Sequence, residues 1–153
     1  AAHTVGVSVE AELGAIGGTE DGMTAKANLV NVDDARRFLD EVSVEALAIG
    51  IGNAHGIYKS TPNLAFDRLE EVAAIGGPAL VLHGGSGIPN EMIRKAILMG
   101  IRKINVATEV RLAFLEGFGL EVNSKDIYKA YRSAQKHARE IISDKMSLFD
   151  TTN

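Results

Sequence analysis

The 153-residue chain has no cysteine, which excludes disulfides, thiolate metal sites and cysteine nucleophiles together; any metal must be held by histidine or carboxylate. It also lacks any run near the ~18 uninterrupted apolar residues of a membrane span. Its first residues, Ala1-Ala2-His3-Thr4, carry neither the basic flank nor the apolar stretch of a secretory signal. These absences predict a cytoplasmic protein with no membrane partner. Basic charge is not in excess: 16 Lys+Arg stand against 20 Asp+Glu, a net charge of −4, so no positive field exists to hold a nucleic acid. With 46% apolar, 24% charged and 5% aromatic residues, the composition is that of one ordinary globular domain. The unusual resources are four histidines and 16 glycines.

Short aliphatic and β-branched runs recur at Val5 to Leu13, Val44 to Gly52, Ala79 to His83 and Arg102 to Val106, the first three each followed by a glycine-containing turn. Between them lie stretches of helical period: Asp33 to Glu41, Phe66 to Ile75, Ile88 to Met99 and Thr108 to Phe118. Pro89 suits a first helical turn and Gly100 a left-handed stop. A last stretch, Asp126 to Phe149, keeps Ile127, Tyr131, Ala134, Ala138, Ile141, Ile142 and Met146 roughly on one face and predicts a long C-terminal helix. Such alternation predicts an α/β fold with a parallel sheet. Two closures stay open: a complete doubly wound sheet, or part of a (β/α)₈ barrel, which needs about 250 residues. Gly14 to Asn31 is long for a βα connection, with Gly17-Gly18-Thr19-Glu20-Asp21-Gly22 inside it. It reads either as a closing loop hinged on its glycines or as a surface excursion.

His55, in Gly52-Asn53-Ala54-His55-Gly56, follows one buried strand, and His83, in Leu82-His83-Gly84-Gly85-Ser86-Gly87, follows the next. Strand carboxyl ends converge in parallel α/β folds, so the two imidazoles can meet and hold zinc, or can be ordinary hydrogen-bonded histidines. His3 and His137 fall on helical stretches and read as partly exposed side chains. Backbone N–H groups of Gly84 to Gly87 can face an anion ahead of the helix opened by Pro89, although a tight turn needs the same glycines. The next strand runs Ile104-Asn105-Val106-Ala107-Thr108-Glu109 into a helix with Thr108 as expected N-cap. Glu10 and Glu12 point to one side of the first strand. That side is either solvated or an interior needing partners or metal.

Val7-Ser8-Val9-Glu10-Ala11-Glu12-Leu13-Gly14 with Gly17 to Gly22, Gly52-Asn53-Ala54-His55-Gly56-Ile57-Tyr58-Lys59, Leu82 to Gly87 and Lys103-Ile104-Asn105-Val106-Ala107-Thr108 form an ordered set. Together they resemble the class II, zinc-dependent ketose-bisphosphate aldolases of fructose- and tagatose-bisphosphate type. The likeness runs from Val5 to about Phe118 and more weakly through Lys145-Met146-Ser147-Leu148-Phe149. It implies the second half, strands five to eight, of a (β/α)₈ TIM barrel. Residues 1–153 would be the C-terminal half of one domain, with strands and helices over 1–118 and a helical extension over 119–153. The third zinc-binding histidine and a catalytic aspartate would lie in the other half.

Carried over by residue, the resemblance implies His55 and His83 as zinc ligands, Glu12 as the acid near the metal, and Glu20 as the loop acid moving protons at the ketone-side carbon. Gly56, Lys59, Gly84, Ser86, Asn105, Ala107 and Thr108 match positions around the sugar phosphate. Backbone near Gly56 and Gly84 matches a monovalent cation site (Na⁺ or K⁺) that some members have. Arg132, with Arg139 second, matches an arginine lent to a neighbouring subunit, implying a homo-oligomer, dimer or tetramer. The implied activity is reversible cleavage of a ketose 1,6-bisphosphate to dihydroxyacetone phosphate and glyceraldehyde 3-phosphate through a zinc-stabilised enediolate. Ala107 stands where many relatives have aspartate, which leaves fructose and tagatose both open. An aldolase for another keto-sugar or keto-acid phosphate, and a non-catalytic phosphate-binding fragment, are the rival readings.

Overall fold

The computed structural model describes residues 1–20 and 23–150, the side chains of 19, 20 and 23–25 excepted. The chain divides into two compact units, 1–105 and 106–153. In the first, a single 3₁₀ turn at His3–Val5 leads to β1 (Glu10–Leu13), β2 (Gly17–Glu20), β3 (Met23–Ala25), α1 (Val32–Glu41), β4 (Ala46–Ile49), β5 (Ala54–His55), α2 (Phe66–Ala73), β6 (Ala79–Leu82), α3 (Asn90–Leu98) and β7 (Ile101–Ile104). The second holds α4 (Thr108–Glu121) and α5 (Ile127–Phe149). Among the described residues no helix is long and apolar enough to cross a membrane.

The main sheet is parallel, in the order β1-β4-β6-β7. Each strand joins beside its predecessor, without the reversal that defines a doubly wound sheet. Paired residues share a face, so register sorts the side chains. Glu10, Ala46 and Ala79 form one row on one face, and Glu12, Ala48, Val81 and Lys103 form the next. The other face carries Leu47, Ile49, Leu80, Leu82 and Ile101, all buried. These join Ala35 of α1, Leu69 and Val72 of α2, and Ile93 and Ala96 of α3 in the core, each large aliphatic contributing about 1.5–3 kcal/mol.

Between Leu80 and Val81 the β6–β7 register slips, so that Leu80 faces Ile101 but Val81 faces Lys103. Arg102 is the extra residue of this bulge. Its guanidinium donates to the carbonyls of Ile97 and Ile101, both at 3.0 Å, at the end of α3. A bulge re-aims the side chain that follows it, and here Lys103 joins the Glu12 row.

The helix ends largely follow the expected chemistry. The Asn31 side chain accepts from Asp34 N–H (3.0 Å), and Asp126 accepts from Tyr128 and Lys129 N–H (2.9 and 3.2 Å). Pro89 caps α3 rather than lying within it, and Gly100 (φ 120°) stops it. Ala107, not Thr108, holds the N-cap place of α4; Thr108 is already helical and no side chain caps that end. Within the second unit α4 and α5 approach closely at Gly117, where a Cβ would come within 2.6 Å of the Ser133 carbonyl oxygen.

The long connection after β1 departs from expectation. β2 and β3 form a hairpin, and β5 adds parallel to β2, giving a second sheet ordered β3-β2-β5. Gly17 and Gly18, expected as hinges of a closing loop, are strand residues. They lie in β2 against Ala54 and His55, and a Cβ on Gly18 would collide with the His55 carbonyl. Asp21 and Gly22 lie outside the described residues.

Glu45 ties the start of β1 to β4. Its carboxylate accepts from Val9 N–H (2.6 Å) and meets His3 Nε2 (3.2 Å), while its N–H donates to the Val9 carbonyl (3.0 Å). The Val9 hydrogen bond, then His3, holds this carboxyl below the usual carboxylate range. A folded value below the unfolded one gives stabilisation that is present above the unfolded value and is lost as pH falls through the folded one. Glu45→Gln should therefore flatten the Tm-versus-pH curve on its acid side, below about pH 5. Thermal melts across that range check this; parallel curves for parent and variant would sink it.

Candidate functional site

The loops after β4 and β6 are tied by buried polar groups. Asn53 is wholly buried; its Oδ1 accepts from Ile51 N–H (2.9 Å), its Nδ2 donates to the His83 carbonyl (2.8 Å), and its own carbonyl accepts from Gly17 N–H (3.1 Å). The Tyr58 hydroxyl accepts from Ala54 N–H (2.8 Å) and donates to the Gly84 carbonyl (3.1 Å). Burial pushes this phenol above its ordinary value, partly offset by Ala54 N–H. Gly84 (φ 64°) packs so tightly that a Cβ would run into the Ala54 carbonyl. The two predicted histidines are thereby brought together, the rings of His55 and His83 lying 5.9 Å apart between centroids and tilted by 53°.

Both carboxylates of β1 reach the same imidazole. Glu10 Oε1 lies 3.1 Å from His83 Nε2, and Glu12 Oε2 lies 3.0 Å from His83 Nδ1. The second oxygen of Glu10 takes a hydrogen bond from Lys103 Nζ at 2.7 Å. Lys103 first, and His83 with it, hold the Glu10 carboxyl below the usual range against the opposing effect of burial. Glu10 and Lys103 sit on the two edge strands. Across a flat sheet those strands would stand about 14 Å apart, so their contact requires the sheet to curl toward this face. Small side chains at Ala46, Ala48 and Ala79 leave room beneath.

The donor set of imidazole nitrogen and carboxylate oxygen fits a divalent cation such as Zn²⁺. Among the described residues, no three donors already surround one point. The oxygens of Glu10 and Glu12 instead occupy both nitrogens of His83.

The glycine loop is built differently from a simple anion cradle. Gly85 N–H donates to the Asn105 carbonyl (2.9 Å) and Asn105 N–H to the Leu82 carbonyl (3.0 Å), which pins the ends of β6 and β7 side by side. The Gly85 donor is therefore committed, and α3 begins only at Asn90, beyond Gly87. Ser86 is buried, Gly56 (φ 88°) is half-buried, and Lys59 is exposed on the loop before α2. Ala107 and Thr108 lie at the start of α4 and Arg132 is exposed on α5, all in the second unit. Glu20 ends β2, and its side chain lies outside the described residues.

Sequence reading gave no role to Lys103, Asn53 or Tyr58, and none to Glu10 beyond its side of the strand. The broken alternation of Ile101-Arg102-Lys103-Ile104 was the available signal for Lys103. Nothing local distinguishes the buried Asn53 amide from an exposed one.

A curled parallel sheet that gathers two histidines and two carboxylates belongs to the α/β class in which strand ends build the site. The whole chain, residues 1–153, matches the family model described as fructose-bisphosphate aldolase class-II, and the chain belongs to that family. A sulfofructosephosphate aldolase of Alkalicoccus urumqiensis is 42% identical over 160 residues, covering 100% of this chain and 56% of that protein. The YdjI aldolase of Escherichia coli K12 superposes with a TM-score of 0.82 at 30% identity, over 97% of this chain and 51% of that one. The fructose-bisphosphate aldolase of Campylobacter jejuni shares the fold with a TM-score of 0.71 at 22% identity, over 97% and 53%. The chain thus spans about half the length of the relatives it matches.

Tyr58→Phe strands the Ala54 N–H without its acceptor and should cost about 1–3 kcal/mol of stability. Gly84→Ala forces a Cβ onto the Ala54 carbonyl at a positive φ and should cost more. Denaturant unfolding of both variants checks the order; a Gly84→Ala protein as stable as the parent would show that the two loops can separate freely.

Proposed function

We propose that the four parallel strands are the second half of a (β/α)₈ barrel, and that the polypeptide carrying this sequence catalyses reversible aldol cleavage of a ketose 1,6-bisphosphate. The observation supporting this most is the gathering of Glu10 and Glu12 of the parallel sheet on His83, with His55 beside His83, in a chain of this aldolase family. A strictly sequential strand order, with an ion pair reaching from one edge strand to the other, supports the barrel.

His55, His83 and Glu12 would hold a divalent cation, which when bound supplies Lewis acidity toward a ketone oxygen. The chain's own work is to place the substrate and move protons. Gly84, Ser86 and Asn105, with Gly56 and Lys59 on the neighbouring loop, bind the phosphate remote from the breaking carbon–carbon bond, so binding energy fixes the orientation of the reacting part. The committed Gly85 donor stiffens that loop instead of contacting the anion. Glu20 returns a proton to the ketone-side carbon once the aldehyde has left. The 42% relative favours a second reading of the substrate: a sulfofructose phosphate in place of a bisphosphate.

The test is release of triose phosphate from fructose 1,6-bisphosphate, tagatose 1,6-bisphosphate and sulfofructose phosphate by the full polypeptide. One of the three should be cleaved, with loss on chelation and recovery with Zn²⁺. No cleavage of any by Zn²⁺-loaded protein would overturn the aldolase reading. Glu20→Ala should lower kcat about 10²–10⁴-fold while changing KM little. Proton exchange into dihydroxyacetone phosphate at the parent rate in that variant would remove Glu20 from its role.

A further inference from the structure

We propose that Lys103 is a positioning residue that holds Glu10 against His83 Nε2, so that the imidazole keeps its proton there and turns Nδ1, beside Glu12, toward a cation. The inference rests on the metal-centre reading above for its purpose but on geometry for its content.

Three observations carry it. Lys103 Nζ and His83 Nε2 share the two oxygens of one carboxylate, at 2.7 and 3.1 Å, so the ammonium fixes the oxygen that faces the ring. Lys103 reaches that face through the bulge: with unbroken alternation from Ile101, paired to Leu80, Arg102 would fall beside Val81 and Lys103 beside Leu82. The register slip therefore exchanges one cation for another at this place, while Arg102 is engaged with the carbonyls of Ile97 on α3 and of Ile101 at the start of β7. Finally, the two nitrogens of His83 face different carboxylates, and only Glu10 carries a cationic partner at hydrogen-bond distance among the ion pairs described. A carboxylate already satisfied by an ammonium is a fixed acceptor for an imidazole N–H. Carboxylates placed in this way on the outer nitrogen of a metal-binding histidine fix its tautomer and ring orientation.

The test uses Lys103→Met, Lys103→Arg, Glu10→Gln and the double variant Lys103→Met/Glu10→Gln in the full polypeptide. The first readout is the ¹⁵N imidazole spectrum of His83, and the second is Zn²⁺ affinity by chelator competition; neither requires catalysis. In the Zn²⁺-loaded parent, where a cation takes the place of any proton between Nδ1 and Glu12, the His83 proton should reside on Nε2, and its signal should shift or broaden in Lys103→Met. Zn²⁺ affinity should fall about ten- to a hundredfold in Lys103→Met, at an unchanged circular dichroism spectrum. Lys103→Arg should recover most of the loss because its cation still meets the carboxylate. The double variant should lose no more than the worse single one, as expected for residues acting as one unit. An Nδ1-protonated His83 in the Zn²⁺-loaded parent, or an unaltered imidazole spectrum in Lys103→Met, overturns the proposal. A protein with the expected His83 spectra that cleaves none of the three ketose phosphates would defeat the aldolase reading while upholding the role of Lys103.

Discussion

The contact on which the candidate site depends is the one between Glu10 on the first edge of the parallel sheet and Lys103 on the last, with the other oxygen of Glu10 on His83. Opposite charges alone do not bring edge strands together; exposed ion pairs contribute about 0–1 kcal/mol. What permits the meeting is the pattern of side-chain size. Ala46, Ala48 and Ala79 line the central strands on that face, while Leu47, Ile49, Leu80 and Leu82 crowd the other. Small residues on that face, with Val81 the one branched side chain among them, leave room for the sheet to curl toward it, and long polar side chains from the edges then meet over the alanines. Packing allows the curvature, and the charge cluster follows from it.

The loops above the sheet obey a different constraint. Asn53 and Tyr58 bury polar groups whose net gain on bonding is modest but whose loss of partners would be costly. This asymmetry makes them specifiers more than stabilisers. Each can be satisfied only if the His55 loop and the His83 loop hold their observed spacing. Gly18 and Gly84 complete the arrangement by letting backbone meet backbone where no side chain fits. The imidazoles are therefore placed by groups that are themselves remote from any reacting atom.

The alternation of aliphatic runs and amphipathic stretches made the order of strands and helices legible, because β4 and β6 are uninterrupted apolar segments and α1 and α2 keep a clear apolar stripe. The meeting of His55 and His83 was legible for the same reason: His83 directly follows β6, and His55 lies one short loop beyond β4. What escaped depended on distant partners. The small sheet β3-β2-β5 pairs Gly17 and Gly18 with Ala54 and His55, residues far along the chain, and glycine-rich segments of this kind read locally as hinges. Lys103 escaped because a bulge breaks the period of two on which facing is read. The expectation that N–H groups of Gly84 to Gly87 face an anion did not include the engagement of Gly85 N–H by the Asn105 carbonyl, a partner that no local pattern announces.

Exposure at the charge cluster bears on how strongly it acts. Glu10 and Lys103 expose 30% and 50% of their side chains in this chain, and β1 and β7 each pair on one side only among the described strands. In the proposed barrel those edges continue into further strands, and the face on which the cluster lies becomes interior. Water would then be thinned around it and the local dielectric would fall, strengthening the attraction between Lys103 and Glu10 and raising the desolvation cost of each charge. Under those terms a cluster with every member partnered is tolerable, and one with a member missing is not. The sequence of requirements runs in one direction: alanines allow the curl, the curl joins the edges, and closure makes the pairing of Glu10 with both Lys103 and His83 obligatory.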